Sequence, residues 1–543
     1  MTSKKTFLFD LLISAFLIAF ALYYAFTRVD FNIPPFEDAA MIMRYAQHLA
    51  GGHGIVWNIG EAPVDGATDF LFMVVSAALI KLGLSVGQSV RSIGFVSHLL
   101  TILIIYWTNR RIHNGSIALS LLSGLYLAVG TGLSYVSAYF GTPFFALAAA
   151  STWTLGLILI KEENPHWWLS LAFALSGLTT GLIRPEGVIL ASLMLLAVIL
   201  LRGLKKSIST FVIFGAVFLI LGGAYFLWRW DYFGYPLPNP FYKKGDGGWS
   251  WHTFDASMLN MLRLSLPVVF AFILGFRSRE TMKTTLAYML PIVGFAAAFG
   301  LVSDEMNYGA RFQYATVPLA LMLWIPLVRG FNFEALTQTK VRERSVYYVA
   351  LIGLAAGIIY YSWFQTCFLT LYQQSCDRPY ERDGRLEMAL MLAEFRGKGY
   401  VMAVTEAGLL PYYSGWDAID TWGLNDQFIA HNGSITVEYL DKYKPEIIMF
   451  HDYYSPLVPP KLTDANLAQR WFSMTILLKT YAEDNGYILA AVFGDSPYDT
   501  HYYYVRSGFV DSSRLVNRIS EFRDYFYPTT GKRSINYAIY QTP

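Results

Sequence analysis

Long apolar runs separated by short polar stretches dominate the chain up to about residue 366. Runs at 7–27, 89–108, 116–136, 142–160, 166–183, 186–201, 208–229, 257–275, 284–301, 313–328 and 346–366 approach or reach the roughly 20 apolar residues that a spanning helix needs. A twelfth run, 67–84, is ambiguous by hydropathy, and charge decides it. If it spans, Arg110-Arg111 falls on the side opposite Lys4-Lys5, and later basic loops are displaced with it. If it lies in the interface, Arg110-Arg111, Lys161, Arg202/Lys205/Lys206, Arg277/Arg279/Lys283 and Lys340/Arg342/Arg344 all share the side of Lys4-Lys5. The positive-inside bias favours the second solution. The expected topology is eleven spans, N-terminus inside and C-terminus outside.

Beyond residue 377 the pattern changes, and no spanning run remains. Tyr400-Val-Met-Ala-Val and Pro445-Glu-Ile-Ile-Met-Phe read as buried strands, and Arg385 to Phe395 as a helix ahead of the first. The expected fold is an α-helical polytopic membrane module, 1–376, with interfacial helices in a first outer loop, 28–88. A soluble α/β domain, 377–543, follows outside the membrane. Composition agrees: 55% of the 543 residues are hydrophobic and 15% charged, with mean hydropathy +0.38, against roughly 25% charged in soluble domains. A net charge of +2 with no basic stripe gives no reason to expect a nucleic-acid partner. No small-residue cleavage site follows the first apolar run, so it reads as an uncleaved helix. Cys367 and Cys376 fit a disulfide and two separate thiols equally well.

The unusual polar motifs gather on one side, the outer one. They are Glu37-Asp38 with Arg44, the stretch Asn58 to Asp69 containing Glu61, Arg184-Pro-Glu186, the loop carrying Asn239, Tyr242, Lys243 and Lys244, and Asp304 to Arg311. Ionised groups at a membrane edge are costly and commonly mark a site. Arg184, Lys243 and Arg311 suit a phosphate. Asp38, assisted by Glu37, suits proton removal from an attacking hydroxyl. Plainer readings exist for each: Glu37-Asp38 as a cap for a helix starting near Ala39, Arg184–Glu186 as an ion pair, Lys243-Lys244 as a solvated pair, and Asp304 with Arg311 as a loop tie. His48 and His53 lack a Cys/His cluster and read as surface or cap residues. No metal ligand set is assigned, and a divalent cation stays open. Asn114-Gly-Ser and Asn432-Gly-Ser match the glycosylation sequon, a weak pattern, and the first falls on the inner side.

One block is more specific. Glu37-Asp38-Ala-Ala-Met-Ile-Met-Arg-Tyr-Ala, then Gly52-His-Gly, Asn58-Ile-Gly-Glu61 and Gly66-Ala-Thr-Asp69, resembles the first outer loop of integral-membrane glycosyltransferases of the GT-C type, specifically the AftB-like cell-wall arabinofuranosyltransferases. Arg184-Pro-Glu-Gly187, Pro238-Asn-Pro-Phe-Tyr-Lys243, Asp304 to Arg311, Ala407 to Gly415 and Ile419 to Asp426 extend the resemblance along the chain. Three departures are visible. Glu-Asp replaces the usual Asp-Asp, Pro240 stands where the family has Thr, and Phe140-Gly141-Thr142 lacks the carboxylate of a Met-Glu-Thr. The resemblance implies a polyprenyl-phosphate-linked sugar donor, an envelope glycan, lipid or protein acceptor, and a site enclosed by the first outer loop and the tail. It makes Asp38 and Glu37 catalytic. It makes Arg44, Asn58, Glu61, Asp69, Arg184, Glu186, Asn239, Tyr242, Lys243, Asp304 and Arg311 substrate-binding. A flippase for lipid-linked sugars, a glycan-binding envelope protein without catalysis, and a polymerase or ligase of another GT-C class are the competing readings. A flippase would be expected to show inverted repeats and mid-membrane polar groups, and neither stands out in the sequence.

Overall fold

The computed structural model describes residues 4–28, 34–244, 248–265, 279–302, 307–329, 348–349, 352–360, 385–452, 465–496 and 499–521. Asp304, Cys367 and Cys376 lie outside the described residues, as does much of the expected span 346–366. The N-terminal two thirds are helical. They begin with α1 (Lys4–Arg28), α2 (Glu37–Ala50), α3 (Phe70–Lys81), α4 (Val86–Trp107), α5 (Ile117–Ala128), α6 (Gly132–Ser137), α7 (Thr142–Lys161), α8 (Trp167–Ile183) and α9 (Gly187–Arg202). Five helical stretches among the described residues are long and apolar enough to cross a membrane: Lys5–Arg28, Val86–Ile112, Ile117–Ser137, Thr142–Lys161 and Leu204–Phe233. Shorter apolar helices include Trp167–Ile183, Gly187–Arg202 and Met282–Ala298.

The ambiguous run 67–84 becomes α3, twelve residues long. At 1.5 Å per residue it reaches about 18 Å, short of the roughly 30 Å hydrocarbon thickness. Gly83, at φ 101°, ends it in a conformation that a side chain rarely adopts. Ser85 and Gln88 then start α4 with a reciprocal capping box. At the far end of the bundle Asp10 is buried in α1 and paired with Arg110 (2.8 Å) and Arg111 (2.9 Å). Both arginines therefore sit at the Lys4 end of α1.

The tail holds a five-stranded sheet in the order β2-β1-β3-β5-β4, with β1 Val401–Val404, β2 Asp417–Asp420, β3 Ile447–Asp452, β4 Ile488–Ser496 and β5 Asp499–Val505. β1 is parallel to β2 and β3, and β5 is antiparallel to β3 and β4. The expected strands are β1 and β3, and the expected helix is Arg385–Leu392 followed by a tight turn at Ala393–Phe395. Ile447–Phe450 is wholly buried, as a strand covered on both faces must be.

The first loop and the tail share one hydrophobic core. Tyr45, Ile55, Trp57, Val64 and Met73 pack with Met388, Phe395, Trp416, Ile419 and Trp422. β2 is a sheet edge, and edges need covering. Asn58 covers it by accepting from the Ala418 N–H (3.0 Å) and donating to the Ala418 carbonyl (3.2 Å). The Trp57 indole N–H donates to that same carbonyl (2.8 Å).

Candidate active site

A cavity of about 370 Å³ opens where the polar motifs converge. Its walls come from α2, the turn before α3, the α6–α7 junction, the Arg184–Glu186 bend between α8 and α9, and residues 237–244, 301–302 and 311–312. Leu424 of the tail closes one side. Most of the lining is apolar, with Phe72, Phe140, Ile189, Leu237, Phe241 and Phe312 among it. At its head stand three carboxylates, Asp38, Asp69 and Glu186, and three cations, Arg184, Arg311 and Lys244.

These charges are organised in pairs. Arg311 donates to Asp38, whose side chain is 26% exposed, and its guanidinium lies over the Phe140 ring, 4.1 Å from the centroid. Two consecutive left-handed residues, Gly309 (φ 61°) and Ala310 (φ 60°), redirect the chain so that Arg311 reaches Asp38. A left-handed alanine costs on the order of 1 kcal/mol, a strain commonly found at functional positions. Arg184, at the end of α8, donates to Asp69 (3.2 Å) and Glu186 (2.9 Å) and lies over the Phe312 ring. Burial pushes the Asp69 carboxyl above its ordinary value, against the pull of Arg184 and Arg311. The Phe140-Gly141-Thr142 segment, which lacks the family's carboxylate, forms part of the wall.

The other sequence-derived residues occupy different places. Glu37 starts α2, two residues earlier than expected, and its carboxylate faces the tail. It accepts from the backbone N–H groups of Gly408 and Leu409 and lies 3.5 Å from Arg385. Arg44 is buried and bonds the carbonyls of Trp57, Pro411 and Trp416 at 2.6 to 2.9 Å and the Asn58 side chain at 3.0 Å, fastening α2 to the tail. Burial lowers its pKa to about 10. The Lys243 ammonium donates to the Gly433 carbonyl (2.6 Å) over the Trp422 ring, so its neighbour Lys244 is the one that lines the cavity. Asn239 is buried and its N–H donates to the Asp65 carbonyl, and the Tyr242 ring packs on His431. His48 is buried, with Nδ1 3.0 Å from the Val56 carbonyl. Its ring centre is 6.5 Å from that of the exposed His53.

Asn58 and Glu61 line a second cavity, of about 300 Å³, between the first loop and the tail, together with Asp417, Asp426, Phe428 and Tyr439. The loop between the two cavities is built on Asp420. Its carboxylate accepts from the N–H groups of Trp422, Gly423 and Asn425 and from the Asn425 side chain. Leu424 faces the first cavity and Asn425 the second. The sequence left Lys244 as the solvated neighbour of Lys243 and gave no role to Asp420 or to the buried Arg229–Asp65 ion pair. Asp420 carried a signal, because it sits inside the Ile419–Asp426 signature.

Burial lifts the Asp426 carboxyl from 3.8 to about 6, although the Ile429 N–H (2.9 Å) and the Tyr439 hydroxyl (2.8 Å) donate to it. The folded protein therefore holds this proton more tightly than the unfolded chain does. The resulting penalty is absent below the unfolded pKa and complete above the folded one. Stability should fall as pH rises from about 4 to about 6, by at most about 3 kcal/mol. Asp426→Asn, followed by melting temperature across that range in detergent, should flatten the slope.

Residues 371–509 match the model of a domain of unknown function, DUF8728. No curated protein matches the chain in sequence. In structure the chain is similar to ArnT from Cupriavidus metallidurans in the apo state, with TM-score 0.55 and 14% identity, over 90% of this chain and 97% of that one. The same protein bound to undecaprenyl phosphate gives TM-score 0.53 and 13% identity, over 91% and 98%. The apo oligosaccharyltransferase of Archaeoglobus fulgidus gives 0.49 and 9%, over 92% and 74%. The two ArnT likenesses show the fold: this chain has a largely helical GT-C membrane fold with a small sheet in its C-terminal region.

Proposed function

We propose that this protein is a GT-C glycosyltransferase. It moves one sugar from a polyprenyl-phosphate carrier to a hydroxyl of an envelope glycan, glycolipid or protein at the outer face of the cytoplasmic membrane. The observation that carries the reading is the first cavity: a mostly apolar wall headed by Arg184, Arg311 and Lys244 and faced by Asp38. An apolar wall suits a polyprenyl chain, and fixed guanidinium groups suit a phosphate. A structural neighbour with undecaprenyl phosphate bound is consistent with such a ligand. Arabinofuranose is the sugar proposed, on the first-loop resemblance.

In the proposed step the acceptor oxygen attacks the anomeric carbon while the bond from that carbon to the phosphate oxygen breaks. The bonding pair leaves with polyprenyl phosphate, and Asp38 takes the hydroxyl proton. The phosphate is already a good leaving group and needs no strong acid. Arg311 is shared: an arriving phosphate draws it from Asp38 and frees the carboxylate for the acceptor. The module 1–376 supplies this chemistry. Residues 377–543 close the cavity through Leu424 and offer the second cavity, with carboxylates and the stacked Phe428–Tyr439 rings, to the acceptor.

Binding tests the donor side. Polyprenyl phosphate should raise the melting temperature of the purified protein, and the uncharged polyprenol should do so far less. Arg184→Gln should weaken the phosphate's Kd by about 10- to 100-fold, the range of one charge-assisted hydrogen-bonding group. Equal binding of the two lipids would contradict the assignment of the cations.

A further inference from the structure

The proposed transfer step leaves unused three side chains that meet at one end of the tail sheet. Glu406 lies two residues past β1, His451 in β3 and His501 in β5. The antiparallel register sets His451 directly opposite His501. Their rings stack with centroids 4.5 Å apart and planes 10° apart. His451 Nδ1 lies 2.9 Å from Glu406 Oε1. Taking one ligand atom from each residue, all three atoms fall within 4.8 Å of one another. His501 is 1% exposed, and Glu406 and His451 are nearly as enclosed, with side chains 13% and 12% exposed.

We propose that Glu406, His451 and His501 bind a divalent ion of the zinc class. Two imidazole nitrogens and one carboxylate oxygen are the ligand types zinc takes, at about 2.0 to 2.2 Å. Around a tetrahedral ion at that distance, ligand atoms stand roughly 3.3 Å apart, so small side-chain rotations close the site. The nitrogen donors select against calcium and magnesium, which take oxygen. Three protein ligands leave a fourth position open. The supporting groups are present. Arg385 bonds the other oxygen of Glu406, which turns Oε1 toward His451. The His451 backbone N–H donates to Thr405 Oγ1 (2.8 Å), and the Trp471 indole N–H donates to the His451 carbonyl (2.8 Å), fixing the strand that presents the ligand. Such outer contacts orient ligands at metal sites. Arg385 also lies 3.5 Å from Glu37. The guanidinium that orients Glu406 therefore also ties this cluster to the first turn of α2.

The test uses untagged full-length protein in detergent, stripped with a chelator, dialysed against zinc chloride and assayed for metal by mass spectrometry. About one zinc per chain is expected. Glu406→Gln and His501→Gln should each weaken zinc binding by more than the roughly 10- to 100-fold of an outer-contact change. If either variant fails to fold, the unaltered protein still answers. Zinc should raise its melting temperature by ligand linkage, and cobalt in zinc's place should give the visible absorption of a low-coordinate nitrogen–oxygen site. Unaltered, folded protein that keeps no zinc and shows no melting shift would overturn the proposal. So would a folded Glu406→Gln, His501→Gln double variant that binds zinc as tightly as the original.

Discussion

Asp38→Asn lowers the rate of sugar transfer by about 10²- to 10⁴-fold, the usual contribution of a positioned acid–base group, and leaves donor binding unchanged or stronger. The asparagine amide keeps the shape and loses the ability to take a proton. It also releases Arg311, which donates to Asp38 in the described state. An incoming phosphate then meets no competing carboxylate. Transfer rate and donor Kd, measured on one preparation, separate this outcome from misfolding, which damages both. If Asp38 served only as a helix-terminus charge, its neutralisation would cost a fraction of a kcal/mol of stability and leave the rate nearly untouched.

Arg311→Met is expected to lower transfer by about 10²- to 10³-fold, the scale of losing one preorganised donor at developing charge, and to weaken donor binding as well. Its guanidinium sits between Asp38 and the rings of Phe140 and Phe312. Removal leaves Asp38 without the partner it has here and takes one of three cations from the cavity head. Arg311→Lys should restore part of the binding through its charge and less of the rate, because an ammonium lacks the planar fork. The two variants thus give different signatures: Asp38→Asn lowers the rate with donor binding unchanged or stronger, and Arg311→Met lowers rate and binding together. Kinetics over a range of donor concentrations read that difference directly.

Much of this arrangement was legible in the sequence. Charged residues stand out where 55% of residues are hydrophobic, and Asp38, Asp69, Arg184, Glu186 and Arg311 are conspicuous in the sequence for that reason. The same charge logic put Arg110-Arg111 beside Lys4-Lys5 and kept 67–84 from spanning. The structure places both arginines against Asp10 and makes α3 a twelve-residue helix. What could not be read depends on long-range contacts and on side-chain direction. Glu37 and Arg44 carry the same residue types as a phosphate or sugar site, yet they bond backbone groups of Gly408, Leu409, Pro411 and Trp416, more than 360 positions away. Lys243 and Lys244 are neighbours on a short helix, where one step turns a side chain by roughly 100°, and the motif does not say which one faces the cavity. His451 and His501 meet only through the strand register of β3 and β5, which spacing along the chain does not disclose.

The measurement that tests the central claim most directly is sugar transfer by the purified full-length protein from a panel of polyprenyl-phosphate monosaccharides, arabinofuranose included, to envelope glycan fragments. The account predicts transfer from one donor, with polyprenyl phosphate released in equal amount. Donors that bind and stay intact with every acceptor, while the same lipids cross the membrane of vesicles holding the protein, would contradict it and make the protein a carrier of lipid-linked sugars.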